Sequence, residues 1–233
     1  MIDWHSHILP AMDDGSQSVD ESLELLKAQG TAGADTVVAT PHFYANDESV
    51  ASFLARRARA AESLAKHLTP DLPKLRLGAE VRYYRGISRL DALSDLRVEN
   101  SRFLLLEMPF CEWSEYMLGE LEELSCKSGF IITLAHIERY RDLQKTHVWE
   151  RIRSCGIRSQ VNADYFASRT TRRRAVSMLK SGQIQFIGSD CHNVTHRPPR
   201  LGEAYSYIEK KLGHEFICQM NEYAESVLDS NNI

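Results

Sequence analysis

The sequence alternates short apolar runs with longer amphipathic stretches, and most of the apolar runs end in a histidine or a carboxylate. Short apolar or β-branched runs bounded by glycine, proline or polar residues are typical of buried strands, and the amphipathic stretches are typical of helices. Strands that alternate with helices favour a parallel sheet of the α/β class. Seven strands are predicted, over residues 1–7, 36–40, 75–80, 103–107, 129–136, 159–162 and 183–192. The first predicted helix begins at the capping box 18–21 and ends at about residue 33. Further helices are predicted over 48–67, 114–127 and 168–181. Two more regions are predicted to be helical, one between the fifth and sixth strands and one after Pro199.

The first predicted strand carries a pair of histidines, His5 and His7, separated by one residue. Side chains alternate across a strand, so the two imidazoles point to the same face, with their Cα atoms roughly 7 Å apart. That separation allows both to bind one metal ion. Alone, the pair is better explained as two unrelated surface histidines near a frayed terminus. The choice depends on whether later strands supply further ligands.

The later strands do end in matching residues. In a parallel barrel, the carboxyl ends of all strands meet at one face, where active sites are built, so residues far apart in sequence are expected to meet there. The loop after the first strand adds the neighbouring carboxylates Asp13 and Asp14. Of these, Asp14 is taken as a candidate ligand. The nine candidates are His5, His7, Asp14, His42, Glu80, Glu107, His136, Asp190 and His192.

This set of ligands predicts a cluster of metal ions. Nine nitrogen and oxygen donors are too many for one tetrahedral or octahedral ion, but with bridging carboxylates they suit two or three ions. Histidine, aspartate and glutamate without cysteine favour Mn, Fe or Zn in an open site over a closed structural zinc site. Such clusters activate a bridging water and bind phosphoryl oxygens. The residues therefore predict a multinuclear metallohydrolase that acts on phosphate esters.

Six segments make a resemblance to a known family specific. They are residues 5–15, Thr40-Pro-His42, Gly78-Ala-Glu80, Leu105-Leu-Glu-Met-Pro109, Ala135-His-Ile-Glu-Arg-Tyr140 and Ser189-Asp-Cys-His-Asn193. They resemble the polymerase and histidinol phosphatase (PHP) superfamily and, within it, the manganese-dependent bacterial protein-tyrosine phosphatases of capsule and exopolysaccharide loci. The resemblance runs from the first residue to about Arg197. It implies a distorted (β/α)7 TIM-like barrel of the PHP type and a single metallophosphatase domain over residues 1–233.

The resemblance also implies a three-metal site and a substrate. One ion would be held by His5, His7, Glu80 and Asp190, a second by Glu80, Glu107 and His136, and a third by Asp14, His42 and His192. Arg139 and Arg197 match the two arginines that bind phosphate in the family, and planar guanidinium groups suit that task. The ion would be Mn²⁺, with Fe or Zn as alternatives. The substrate would be phosphotyrosine on a protein, a bacterial tyrosine autokinase that controls exopolysaccharide or capsule synthesis.

Three departures from the family pattern remove no ligand. Ile137 stands where many relatives have proline, Asn162-Ala-Asp-Tyr-Phe166 replaces a small-residue turn, and Cys191 stands where alanine is usual. Three other functions stay open: a small-molecule phosphomonoesterase such as a histidinol-phosphate phosphatase, a nuclease-type PHP domain, and a non-catalytic partner of a tyrosine kinase. The complete ligand set argues against the last.

Cys191 and Arg197 also satisfy the Cys-x5-Arg spacing of thiol-based tyrosine phosphatases. Those loops wrap backbone N–H groups around a phosphate and usually need glycine for the tight curvature. This loop contains no glycine, and two of its neighbouring residues are candidate metal ligands. The thiol mechanism is therefore disfavoured.

Composition narrows the remaining classes. The net charge of -4 disfavours general nucleic-acid binding, since no basic excess is available to neutralise phosphates. Five scattered cysteines without a Cys-x-x-Cys motif predict reduced thiols. The chain shows neither a basic region followed by an apolar stretch nor a membrane-length apolar run, so a cytoplasmic protein that is not inserted in a membrane is expected.

A basic cluster in the second predicted helix, Arg56-Arg57-Ala-Arg59, is interpreted as a solvated helix face or a subunit contact. It resembles a segment that relatives use in oligomerisation, but it lacks the upstream glutamate of that motif. The oligomeric state is left open.

Overall fold

The computed structural model describes residues 1–127 and 129–230, which contain nine strands, eight α-helices and four short 3₁₀ helices. The strands are β1 (Ile2–Ser6), β2 (Thr36–Ala39), β3 (His42–Phe43), β4 (Lys74–Leu77), β5 (Glu80–Arg82), β6 (Phe103–Glu107), β7 (Ile131–Leu134), β8 (Arg158–Asn162) and β9 (Phe186–Gly188). The helices are α1 (Val19–Thr31), α2 (Val50–Ala65), α3 (Glu115–Ser125), α4 (Thr146–Ser154), α5 (Asp164–Ala167), α6 (Arg172–Lys180), α7 (Leu201–Leu212) and α8 (His214–Leu228). The 3₁₀ helices are Ile87–Arg89, Asp91–Leu96, Ile137–Arg139 and Arg141–Leu143.

All seven predicted strands and the predicted helices are confirmed, although some boundaries differ. The predicted strand 75–80 is divided into β4 and β5 at Gly78, where a Cβ atom would lie 2.9 Å from the side chain of Val98. The predicted strands 129–136 and 183–192 stop early, at Leu134 and Gly188. Each stops just before a residue with left-handed backbone, His136 (φ 32°) and Asp190 (φ 52°), which cannot continue a strand.

Every strand pair is parallel, and the strands form a curled sheet. The order is β1-β2-β4 in one part and β3-β5-β6-β7-β8-β9 in the other. The chain passes directly from one part to the other, from β2 into β3 and from β4 into β5. Asp190 N donates to the His5 carbonyl (2.7 Å), which brings the end of β9 beside β1. The chain therefore has a mixed α/β fold in which the ends of distant strands are neighbours.

Three aromatic rings that pack against one another join three strands that lead to candidate ligands. Trp4 lies 4.5 Å from Phe103 and 4.7 Å from Phe186, centroid to centroid, and all three side chains are buried. They belong to β1, β6 and β9, and apolar residues of α8 pack in the same cluster. Aromatic contacts of this kind stabilise a core beyond the area they bury. The larger apolar cluster fills the space between the sheet and the other helices.

The interpretation of the basic cluster on α2 is wrong for Arg57. This side chain is buried and donates a hydrogen bond to the Gly78 carbonyl (2.6 Å), between β4 and β5. Arg56 pairs with Glu48 (2.6 Å) and donates to the Met12 carbonyl (3.2 Å), in the loop that carries Asp14. Arg59 is exposed, as predicted. Among the described residues, no helix is both long and apolar enough to span a bilayer.

Candidate metal centre

The structure brings all nine candidate ligands together at one end of the sheet. Their donor atoms fall into three overlapping groups whose members lie within 4.8 Å of one another: His5, His7 and Asp190; His42, Glu80 and Glu107; and His7, Asp14, His42 and His192. The ninth residue, His136, contacts Glu80 and Glu107. Most of these side chains are buried, whereas Asp14 is exposed.

The first group converges on one point. His5 Nε2 lies 3.1 Å from His7 Nε2, and these two nitrogens lie 3.3 and 3.4 Å from Glu80 Oε2. Asp190 Oδ1 lies 3.6 and 3.5 Å from the same nitrogens. Two donors held at about 2.1 Å from one ion, at tetrahedral or octahedral angles, lie about 3.0–3.4 Å apart. The donor spacing therefore fits a single cation between the four side chains.

Glu80 connects this first group to a second. Its Oε2 atom faces His5 and His7, and its Oε1 atom lies 2.9 Å from His136 Nε2. Glu107 Oε1 lies 3.7 Å from the same histidine nitrogen. A carboxylate whose two oxygens face different donor groups is suited to bridge two ions.

The third group lies at the exposed side of the cluster. Asp14 Oδ1 is 3.3 Å from His192 Nε2 and 3.5 Å from His42 Nε2. The Nε2 atom of His192 is buried and makes no hydrogen bond in the described residues. Buried polar atoms are nearly always paired. An unpaired imidazole nitrogen that faces a carboxylate is therefore an independent indication of a cation site.

The outer nitrogens of three histidines are held by hydrogen bonds. His7 Nδ1 pairs with Asp13 Oδ2 (2.8 Å), and His5 Nδ1 pairs with Gln160 Oε1 (3.3 Å). His192 Nδ1 pairs with the carbonyl of Asp190 (3.0 Å). Such partners fix the orientation of a ligating imidazole and raise its basicity. All three arrangements direct the Nε2 atom toward the cluster.

Sequence reasoning missed two of these orienting residues. Asp13 was recognised only as the neighbour of Asp14, and its role depends on a loop that also directs the backbone N–H groups of Gly15 and His42 to its oxygens. The sequence contains one indication for Gln160. Gln160 and Asn162 are two residues apart in the strand β8, so their side chains lie on the same face. Asn162 donates to Asp190 Oδ2 (2.7 Å), so β8 lines the site without supplying a candidate ligand.

The charges of the cluster attract cations. Burial opposes protonation of His7, but hydrogen bonds to Asp13 and Glu80 outweigh it and raise the pKa of His7 to about 10. Burial likewise opposes ionisation of Asp190, yet the neighbouring histidines hold its pKa well below the usual range. For His192, burial and the charge of His7 lower the pKa to about 4. The negative charge of these carboxylates stabilises a proton on His7, and it would stabilise a metal cation bound beside His7 in the same way.

Three arginines border the cluster. Arg139 and Arg197 both donate to Asp190 Oδ2, the latter at 2.8 Å, and both side chains are partly exposed. Arg82, which sequence reasoning missed, donates to Glu107 Oε2 (2.8 Å). Its signal was its position two residues after Glu80, because residues i and i+2 of a strand share a face. These guanidinium groups place positive charge at the open side of the cluster.

The backbone around the cluster is tightly constrained. His136 and Asp190 both have positive φ angles, a strained conformation that is concentrated at functional sites. Gly188 lies so close to β1 that a Cβ atom would be 2.4 Å from His5 Cβ. Buried Asp3 accepts hydrogen bonds from Ser189 N (2.7 Å) and Ser189 Oγ (2.6 Å). These contacts hold β1 and the segment after β9 in a fixed relation.

Cys191 faces away from the cluster. Its side chain is fully buried, and its sulfur lies 3.7 Å from Gln29 Nε2, on α1. Burial raises the pKa of the Cys191 thiol far above its usual range. A neutral, inaccessible thiol is a poor nucleophile. The Cys-x5-Arg spacing is therefore a coincidence of sequence.

The comparisons with known proteins cover almost the whole chain. The model of the family described as "Capsular polysaccharide synthesis, CpsB/CapC" matches residues 1–229. The tyrosine-protein phosphatase YwqE of Bacillus subtilis is 32% identical over 244 residues, covering 100% of this chain and 93% of the relative. The tyrosine-protein phosphatase CpsB of Streptococcus agalactiae serotype III is 29% identical over 251 residues, covering 100% of both.

Solved structures are similar as well. One, from the work on YwqE of Bacillus subtilis and CpsB of Streptococcus pneumoniae as metal-dependent tyrosine phosphatases, superposes with a TM-score of 0.83 at 27% identity, covering 99% of this chain and 95% of the other. A Listeria monocytogenes protein described as a histidinol phosphatase superposes with a TM-score of 0.56 at 16% identity, covering 88% and 99%. The second likeness concerns the fold alone.

Proposed function

The chain belongs to the CpsB/CapC family of capsular polysaccharide synthesis, and from that premise we propose that it is a metal-dependent protein-tyrosine phosphatase. The observation that carries this proposal is the bridged donor cluster at Glu80, bordered by the partly exposed Arg139 and Arg197. Relatives that align over the full chain are named tyrosine-protein phosphatases. The reaction is hydrolysis of a phosphoric monoester.

The residues fit a three-metal site with Mn²⁺ as the ion, and Fe or Zn as alternatives. His5, His7, Glu80 and Asp190 would hold one ion, Glu80, Glu107 and His136 a second, and Asp14, His42 and His192 a third. The donor spacing in the first set and the unpaired nitrogen of His192 support this assignment. Bound ions supply charge neutralisation for the phosphate and a lowered pKa for water.

The protein side chains would position the phosphate and stabilise its developing charge. Arg139 and Arg197 each keep N–H groups beyond those that Asp190 accepts, and a planar guanidinium binds two phosphate oxygens at once. Asp13 and Gln160 hold the imidazoles of His7 and His5 in place throughout. The leaving group is a phenolate whose conjugate acid has a pKa of about 10, so a general acid contributes little.

The finer fold assignment belongs to the same proposal. If β2 with β3 and β4 with β5 are each one bent strand, the sheet has seven strands, and the hydrogen bond from Asp190 N to the His5 carbonyl joins the last to the first. This supports a distorted (β/α)7 barrel and one metallophosphatase domain over 1–233, of which 231–233 lie outside the described residues. The substrate protein would be a bacterial tyrosine autokinase, an assignment supported by the capsule family alone.

One experiment separates the competing functions. Hydrolysis of a phosphotyrosine peptide and of histidinol phosphate is measured with Mn²⁺, with a chelator and with a thiol alkylator. We expect the peptide to be the better substrate, and the activity to be lost with chelator but retained after alkylation. Preference for histidinol phosphate contradicts the protein-phosphatase assignment, and an undiminished rate in His136→Ala contradicts the metal assignment.

A further inference from the structure

Two exposed aromatic side chains belong to loops on the side of the sheet where the candidate ligands lie. Phe110 is 69% exposed, the most exposed large hydrophobic residue in the described chain, and Tyr44 is 37% exposed. Single exposed hydrophobic residues are common on protein surfaces. These two differ because each follows a strand that supplies a candidate ligand: Tyr44 comes directly after β3, and Phe110 comes three residues after the end of β6.

Both rings are connected to histidines of the cluster. Tyr44 stacks on His42, with ring centroids 5.3 Å apart and an interplanar angle of 25°. Phe110 lies 6.3 Å from Tyr140, and Tyr140 lies 5.6 Å from His136. The two exposed rings therefore approach the cluster from two different ligands.

The sheet order places one strand between them. Both β3 and β6 pair with β5, so they are two strand spacings apart, about 9.6 Å. An aromatic ring needs about 7–8 Å between the groups that contact its two faces. The gap lies over β5, which carries the bridging Glu80 and the partly exposed Arg82. Two strand spacings leave room for one flat ring between side chains that rise from the ends of β3 and β6, beside the carboxylate of Glu80.

We propose that Tyr44 and Phe110 are the two walls of a subsite for the phenyl ring of phosphotyrosine, and so select aromatic over aliphatic phosphate esters. The inference rests on the proposed phosphatase function. When the phosphate is held at the cluster by Arg139 and Arg197, the ring is only one ester oxygen away and leaves the cluster toward the solvent. The two walls shield its faces from water there. An aliphatic phosphate ester has no flat group to fill the gap.

Two non-hydrolysable phosphonates test the subsite. Phenylphosphonate and methylphosphonate present the same phosphonate group, so the ratio of their dissociation constants on the Mn²⁺-loaded protein isolates the contribution of the ring. We expect the wild type to bind phenylphosphonate more tightly than methylphosphonate. In Phe110→Ala this ratio should fall by about three- to tenfold, while the dissociation constant of methylphosphonate stays unchanged. Tyr44→Phe keeps the ring and should keep the preference, whereas Tyr44→Ser should reduce it.

Tyr116→Ala is the matched control, because Tyr116 is 44% exposed but lies on α3 against Arg85. Bound manganese is measured in every variant by elemental analysis, and we expect it to be unchanged in Phe110→Ala. An unchanged phenyl preference in Phe110→Ala with full metal content overturns the inference, as does equal weakening of both phosphonates. Equal binding of the two by the wild type overturns the inference alone. A wild type that holds manganese but neither binds phosphonates nor hydrolyses phosphotyrosine overturns the proposed function as well.

Discussion

At the scale of single residues, the orientation of His7 depends on one carboxylate that is not itself a candidate ligand. Asp13 accepts from His7 Nδ1 and from the backbone N–H groups of Gly15 and His42. Asp13 therefore holds His7, a candidate ligand of the first group. It also holds the start of β3, where His42 of the third group lies. A change at Asp13 should act on metal binding more than on folding.

We expect Asp13→Asn to weaken manganese binding by about 10- to 100-fold, because the amide keeps the shape of the side chain but loses the charge that holds the imidazole. Calorimetric titration of the metal-free protein with Mn²⁺ measures the change. Asp91→Asn, at an exposed site in a 3₁₀ helix, is the control and should bind like the wild type. Wild-type affinity in Asp13→Asn would show that the hydrogen bond does not orient a ligand.

Cys191 offers a second test at this scale. Because its thiol is buried and its pKa is raised by that burial, Cys191→Ala should hydrolyse phosphotyrosine peptide at the wild-type rate. Alanine also removes only one sulfur atom from the contact with Gln29. The rate per bound manganese is the measurement. Complete loss of activity in a folded, metal-loaded variant would reinstate the thiol mechanism.

The candidate ligands could be predicted from the sequence because each lies at or near the end of a predicted strand, and the carboxyl ends of parallel strands meet. The residues around them were less predictable. Gln160 and Arg82 lie on strands, but the sequence does not say which neighbouring strand their side chains reach. Which carboxylate of the Asp13-Asp14 pair faces His7 is decided by the turn of a loop, and no periodicity encodes that turn.

At the scale of elements, β1 and β9 approach each other closely at Gly188. Gly188 has no Cβ, and an added one would lie 2.4 Å from His5 Cβ and 2.9 Å from the His5 backbone nitrogen. Backbone atoms cannot move aside as the end of a flexible side chain can. The spacing of two ligand-bearing segments thus depends on one glycine.

Gly188→Ala should lower the free energy of unfolding by about 1–3 kcal/mol, since it overpacks a site where backbone must shift. It should also weaken manganese binding, because β1 carries His5 and the segment after β9 carries Asp190. Urea unfolding followed by circular dichroism measures the stability. Gly119→Ala in α3, where an added Cβ meets nothing within 4 Å, is the control and should stabilise by roughly 0.5–1 kcal/mol. Equal stability of the two variants would refute the close contact.

Some boundaries of the strands follow from the sequence pattern, and others do not. The strand over 103–107 was predicted with the bounds it has in the structure, because Pro109 and a continuous apolar run define it. The bend between β4 and β5 was not predicted, since it depends on contact between Gly78 and Val98, which is twenty residues away. The strained turns at His136 and Asp190 also lie inside apparently continuous strands. Tertiary contacts decide such positions.

At the scale of the whole molecule, the curled sheet gathers five carboxylates, from Asp13 to Asp190, around one point. In the protein without metal, protonated histidines and the three arginines balance these charges in part. The ligands come from segments that only the folded chain brings together. Metal ions should therefore bind the folded state far more tightly than the unfolded chain, and folding and metal binding should be coupled.

This coupling predicts a large thermal shift. Manganese at about 100 times its dissociation constant should stabilise the folded state by about 2.7 kcal/mol, which for a chain of this size raises Tm by roughly 5–10 °C. Differential scanning calorimetry of chelator-treated protein, with and without added Mn²⁺, measures the shift, and fresh chelator should reverse it. In His136→Ala the shift at the same manganese concentration should be smaller, because the proposed second ligand set, Glu80, Glu107 and His136, loses its only imidazole. The first set keeps both of its imidazoles, His5 and His7. A Tm that does not respond to manganese, or an equal rise in the variant, would show that these side chains do not bind the metal. A ligand that binds only the folded state must raise Tm, and at a fixed concentration it raises Tm more when it binds more tightly.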